Sequence, residues 1–435
     1  MKPPNRFFAG LSIEESPEFS SGTITMMKPL GVNVLQGCLW GCLFLLGIVG
    51  CTVQPLPTPT PTLNVQETSL FHEAILTATY AIPEPTSTPT TVPSFTPTPT
   101  QPPVPPELPR VFQTSLLNPM DHPHPYIQDT CQVLKNRWKM GKSAPGTVVM
   151  PIMFHSITDG EVNHPYQISA HQVKELFQAL EQKGFEAISM EQLAGFLQSN
   201  DYIPPRSVVL IVDDLHSASY YRDHFYPYLH PHGWTVTNAW ISEPEASRRV
   251  RDENIALQRE GWVDHQAHGV VHNINIVEFK PGTTIETSLY GKVDVETFIY
   301  RELQGSREAI LETFGKAPIA YIWPGGNFSA RAVQVAREVG YQLGFTVNPR
   351  GPLMYNWIPL GDEIDPKRPA LLPENYVQDP LMVLPRYWDK DAILYLDTVI
   401  RIGEEARAYA LENRERELEY YRLVCEPHVD TTSMP

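Results

Sequence analysis

The chain has 435 residues, 42% of them hydrophobic, enough for two or three average domains or for one barrel with appendages. Its formal charge of −16 argues against a nucleic-acid partner, whose phosphates demand a basic face. The 43 prolines exceed what a globular chain of this length carries, so they must be concentrated somewhere.

Residues 1–26 are a polar extension, with Met26 and Met27 as alternative starts. Residues 27–51 read as an export signal: Lys28 is a minimal positive head, and Val34 to Val49 form an apolar stretch. Ile48-Val49-Gly50-Cys51 closes it and resembles a bacterial lipobox, in which the cysteine is lipidated and becomes the mature N-terminus. The rival reading is an uncleaved membrane anchor, since the apolar stretch is almost long enough to span a bilayer. Either reading puts the bulk of the chain outside the cytoplasmic membrane, with Cys51 or the apolar segment as its membrane partner.

Residues 52–111 hold the proline excess, in runs such as "PTPTPT" and "TPTPTQPPVPPELPR". Sequence of this kind cannot bury enough apolar surface to fold and is expected to be a disordered, polyproline-like linker. Cys38 and Cys42 lie in the apolar segment, which leaves Cys131 and Cys425 near the two ends of the remainder. In an exported protein they form either one disulfide or two free thiols. Without a CxxC pair, no thiolate zinc site is indicated.

A folded region is expected over 112–390. Its predicted strands are Val148–Phe154, Val208–Val212, Thr235–Trp240, Trp262–Ala267, Ala320–Trp323, Gln342–Thr346 and Met382–Leu384. Predicted helices fall between them. One spans 169–184, opened by a Ser cap and closed by Gly184; a second opens on a capping box, Ser189 to Gln192; a third spans 329–340, again Ser-capped and Gly-terminated. This alternation predicts an α/β fold with a mostly parallel sheet, open or closed into a barrel. Chemistry in such folds sits at the C-terminal ends of the strands. Residues 391–435 add a long helical stretch and a tail, expected to pack across the outside.

Asp213 and Asp214 stand at one such end, after the apolar run Val208–Val212. Two adjacent carboxylates repel each other and are costly to desolvate, so something must offset the cost, and a cation is the obvious candidate, with a plain helix N-cap as the alternative. His268 and His272 follow the strand 262–267 and share a face if the segment turns helical there. One carboxylate and two imidazoles around a divalent metal leave positions open, as a catalytic site requires. Zn²⁺ suits these donors, as do other first-row metals. His265 is read as a packed neighbour rather than a ligand.

Several ordered segments carry a family resemblance. "VVMPIMFHSI", "VVLIVDDLH", "GWVDHQAHGVVHN", "ELQGSREAILETFGKAPIAYIWPGGNFS" and "AREVGYQLGFTV" resemble, in order, the Tyr-His strand, the Thr-Phe-Asp-Asp-Gly motif, the His-(Ser/Thr)-x-x-His motif, the Tyr-Pro-x-Gly segment and the following helix of the polysaccharide deacetylases, the NodB-homology carbohydrate esterases. That resemblance covers about 148–386 and implies a (β/α)7 barrel that removes acetyl groups from N-acetylated sugars of a polysaccharide. By its motifs Asp213 is the general base, and Asp214, His268 and His272 are the metal ligands. His155 is the acid for the leaving amine, and the Gly325 N–H stabilises the oxyanion.

Departures are visible: Leu215 replaces the motif's Gly, Ile211-Val212 its Thr-Phe, Gly269 its Ser/Thr and Trp323 its Tyr. The family's base-orienting arginine is absent from "YIWPGG", and Arg386 in "VLPRYW" is a different contribution to the site. Two alternatives stand beside the deacetylase: an inactive glycan-binding relative on the same barrel, and a glycoside hydrolase. The latter is disfavoured because its two carboxylates should be well separated.

Overall fold

A computed structural model describes residues 103–426, apart from 244–246, 273–275, 278–279, 281 and 369. The signal segment, Cys51 and the linker up to residue 102 lie outside the described residues. Among those described, no helix is long and apolar enough to cross a membrane.

Seven parallel strands surround the core: β1 (Val148–Phe154), β2 (Arg206–Asp213), β3 (Val236–Trp240), β4 (Val263–Ala267), β5 (Ala320–Ile322), β6 (Leu343–Phe345) and β7 (Tyr387–Trp388). Their order is β6-β5-β4-β3-β2-β1-β7, and the two-residue strand Glu186–Ala187 pairs beside the start of β2. The ring closes through one short segment. Leu384 bridges Phe345 of β6 in parallel, and three residues later Tyr387 and Trp388 pair with Ile152 and Met153 of β1. The architecture is thus the expected (β/α)7 barrel.

The strand expected at Met382–Leu384 is corrected. Pro380–Met382 is a 3-10 turn, and only Leu384 joins the ladder. Pro385 has no N–H to donate, and the segment's pairing is divided between β6 before it and β1 after it.

Every residue of β1 is buried, including Pro151. Proline is tolerated in this central strand because of β7's shortness. Val149, two residues earlier and facing the same side, bonds Leu353 rather than β7, so the ladder asks for no donor at 151. The helices form where their caps predict them. Ser169 and Ser189 make full capping boxes with Gln172 and Gln192 at the starts of Ala170–Gln182 and Met190–Ser199. Ser329 caps Ala330–Val339, which ends at left-handed Gly340.

A 32-residue helix, Asp389–Tyr420, follows β7 directly and packs along the outside of β1. It passes so close that a Cβ on Gly403 would lie 2.7 Å from the Gly146 carbonyl. A disulfide joins Cys131, in the helix Thr130–Trp138, to Cys425 beyond this long helix. Packing also begins before residue 112: the Arg110 carbonyl accepts a hydrogen bond from Tyr409, and Val111 lies against the core.

Candidate active site

The C-terminal ends of β1, β2, β4, β5 and β7 meet at one rim. Asp213 is the last residue of β2, and its side chain is 3% exposed. Arg386, fully buried just before β7, donates from both terminal nitrogens to its two oxygens, at 2.7 and 3.0 Å. Its Nε donates to the Thr346 carbonyl, which fixes the fork. Burial alone would raise the Asp213 carboxyl, but Arg386, with His268 and His155, outweighs it and holds the group below the usual carboxylate range. His155, at the end of β1, places Nε2 3.5 Å from Asp213 Oδ2. Its ring stacks on Trp388 at 5.3 Å and lies 5.8 Å from Tyr166.

Asp214 leaves the strand with a left-handed backbone (φ 75), which Asp tolerates better than most residues. Its side chain is 44% exposed and faces His268 Nε2 at 4.0 Å and His272 Nε2 at 3.7 Å. Ligand atoms of these three residues all lie within 4.8 Å of one another. A carbonyl can only accept, so the 2.8 Å bond from His268 Nδ1 to Ile322 O fixes the proton on Nδ1. That leaves the Nε2 lone pair towards Asp214, as in a metal-ligating histidine whose other ring nitrogen donates to a carbonyl. Burial lowers the His268 pKa to about 4, so the ring is neutral at neutral pH. Donor set, tautomer and spacing therefore fit a divalent cation held by Asp214, His268 and His272.

The two histidines do not share a helical face, as the spacing had led one to expect. A turn brings them together, with Gly269 at φ 86 and His272 at φ 49. Gly325 occupies a turn just past β5, also with positive φ (61), at the same end of the barrel as Ile322. His265 faces away: it stacks on Phe314 at 3.9 Å and bonds Gln258 and Asn254, and burial lowers its pKa to about 3. The departures from the family motifs are packed. Leu215 is half-buried against the core, and Trp323 is fully buried with Nε1 donating to Met382 O.

Sequence reasoning missed four neighbours. Trp388 and Asp389 follow Arg386 by two and three residues, so the adjacency was available to find them. Asp389 is buried, its Oδ2 has no partner among the described residues, and burial pushes its pKa up to about 7. Tyr166 and Glu302 come from distant segments and leave no local signal.

Residues 201–344 match the family described as Polysaccharide deacetylase. The poly-β-1,6-N-acetyl-D-glucosamine N-deacetylase of Escherichia coli O157:H7 is 22% identical over 234 residues, 47% of this chain and 34% of that protein. Its namesake in strain K12 is 21% identical over an equal span. The chain spans about a third of the length of these curated relatives. Among solved structures, Streptococcus pyogenes deacetylase PplD in complex with acetate aligns at 17% identity over 56% of this chain and 93% of that one, with a TM-score of 0.42. IcaB from Ammonifex degensii aligns at 14% identity over 60% and 98%, with a TM-score of 0.41.

Proposed function

From the match of residues 201–344 to the polysaccharide deacetylase family we propose that the chain is a metal-dependent hydrolase that removes acetyl groups from N-acetylated sugars of an extracytoplasmic polysaccharide. The observation that carries this reading is the unequal treatment of two adjacent carboxylates: Asp213 is clamped by Arg386, and Asp214 is aimed at two imidazoles. When bound, a divalent cation such as Zn²⁺ supplies Lewis-acid polarisation of the acetyl carbonyl and acidifies a water.

The chain's own residues do the rest. Asp213 takes a proton from the attacking water, with Arg386 fixing the direction of its lone pairs. The Gly325 N–H is the oxyanion donor as the carbonyl carbon becomes tetrahedral. His155, beside Asp213 and clustered with Trp388 and Tyr166, gives a proton to the departing sugar nitrogen as the C–N bond breaks. Acetate and a free amine result.

An oxidising compartment is supported by the Cys131–Cys425 disulfide. Membrane attachment through a lipidated Cys51 follows from the lipobox-like tetrad. The names of the curated relatives make β-1,6-linked N-acetylglucosamine the first polymer to try. Acetate release from β-1,6- and β-1,4-linked N-acetylglucosamine oligomers, with and without chelator, tests the reading. Chelator-sensitive release is expected. A folded chain that binds these oligomers but releases no acetate would instead be a glycan-binding relative.

A further inference from the structure

The turn that joins the two histidine ligands rests on a buried carboxylate from another element. Glu302 lies midway along the helix Val295–Phe314 and is 1% exposed. A buried carboxylate ordinarily needs a cation beside it. Here its partners among the described residues are neutral: Oε2 accepts from the backbone N–H groups of Val270 and Val271, at 3.0 and 3.3 Å, and Oε1 from the Tyr290 hydroxyl at 3.0 Å. Val270 and Val271 are two of the three residues between His268 and His272.

Gly269, the third, is the other half of the arrangement. A Cβ there would stand 2.8 Å from Glu302 Oε2 and 3.3 Å from the Tyr321 hydroxyl, and its φ of 86 already disfavours a side chain. Neither a Ser nor a Thr fits at 269 while Glu302 holds its place. The departure from the His-(Ser/Thr)-x-x-His pattern is therefore matched to Glu302. His272 closes the turn at φ 49, a conformation that a non-glycine residue keeps only where its surroundings hold it.

We propose that Glu302 is a positioning residue for the metal centre: its carboxylate, in the space left by Gly269, fixes the 268–272 turn so that both imidazole Nε2 atoms face Asp214. Tyr290, in the turn of the hairpin formed by Thr284–Thr287 and Gly291–Asp294, ties this carboxylate to that hairpin. The inference rests on the metal-ligand reading above.

The test is a competition titration of Zn²⁺ against a chromophoric chelator, on the metal-stripped full chain, with thermal unfolding of the metal-free form in parallel. In Glu302→Ala the affinity should fall roughly 10- to 100-fold, as for other outer-shell partners. Glu302→Gln, which keeps an acceptor oxygen, should restore most of it. Glu302→Asp keeps the charge but withdraws it from the turn and should lose affinity like the alanine variant; it serves if the alanine variant does not fold. Metal affinity equal to wild type in a folded Glu302→Ala or Glu302→Asp chain, whatever its melting temperature, overturns the inference alone. A wild-type chain that takes up no Zn²⁺ overturns it together with the proposed function.

Discussion

Asp213 is 3% exposed and gripped at both oxygens by Arg386, whereas Asp214, next in the chain, is 44% exposed and faces two imidazoles. Both sit where β2 ends, and what separates them is one backbone rotation, the left-handed φ at Asp214. Burying two adjacent carboxylates with a single compensating cation would leave one of them repelled and unpaired. The chain avoids this by supplying its own cation to one carboxylate and leaving the other more exposed, aimed at two histidine side chains. A permanently paired carboxylate is fixed in direction and stays ionised, as a base must be. A carboxylate beside imidazole lone pairs is suited to an ion from solution.

Breaking the Asp213 side should give the largest effect. Asp213→Asn is expected to lower kcat by roughly 10² to 10⁴-fold, the usual worth of a positioned acid or base, with metal retained. Arg386→Ala leaves the buried carboxylate without its cation and should cost about 3–5 kcal/mol in denaturant unfolding. The sign of its pH dependence follows from the lowered Asp213 pKa. The stabilisation is fully present above the unfolded value near 3.8 and fades as pH falls below it, so the gap between wild type and Arg386→Ala should close in acid. The acidic limb of the variant's rate profile should also move to higher pH.

Asp389 sharpens the contrast, being a nearby buried carboxylate that makes no ion pair among the described residues. Its pKa rises from 3.8 to about 7, so ionising it in the folded state is unfavourable. That cost is absent below about pH 4, grows as pH rises through 7, and reaches at most about 4 kcal/mol. Asp389→Asn should therefore be more stable than wild type at pH 8 and lose that advantage at pH 4. The smallest effect is expected on the Asp214 side, from Leu215→Gly. Restoring the family's glycine should cost roughly 1–3 kcal/mol of stability, because the leucine packs on the core. It should not tighten metal binding.

Much of this was legible because it is local. The run Val208–Val212 ending in two acids, the serine caps and the terminal glycines each act within a few residues, and each element formed where its signal stood. Barrel closure was less legible, since Pro385 divides one segment between two neighbouring strands and leaves too short a pattern to read. The histidine turn was misjudged because HxxxH spacing fits a helix and a turn alike; Gly269 was the cue that a turn was needed. Glu302 could not be found from sequence. A glutamate within an amphipathic helix reads as solvated, and its contact with Val270 and Val271 spans some thirty positions of chain.

The most direct measurement is metal content, by elemental analysis, of Asp213→Asn and Asp214→Ala purified side by side with wild type, together with acetate release. The account predicts that Asp213→Asn keeps the metal and loses the activity, while Asp214→Ala loses both. Metal retained in Asp214→Ala, or lost from a folded Asp213→Asn, would contradict the division of roles between the two carboxylates.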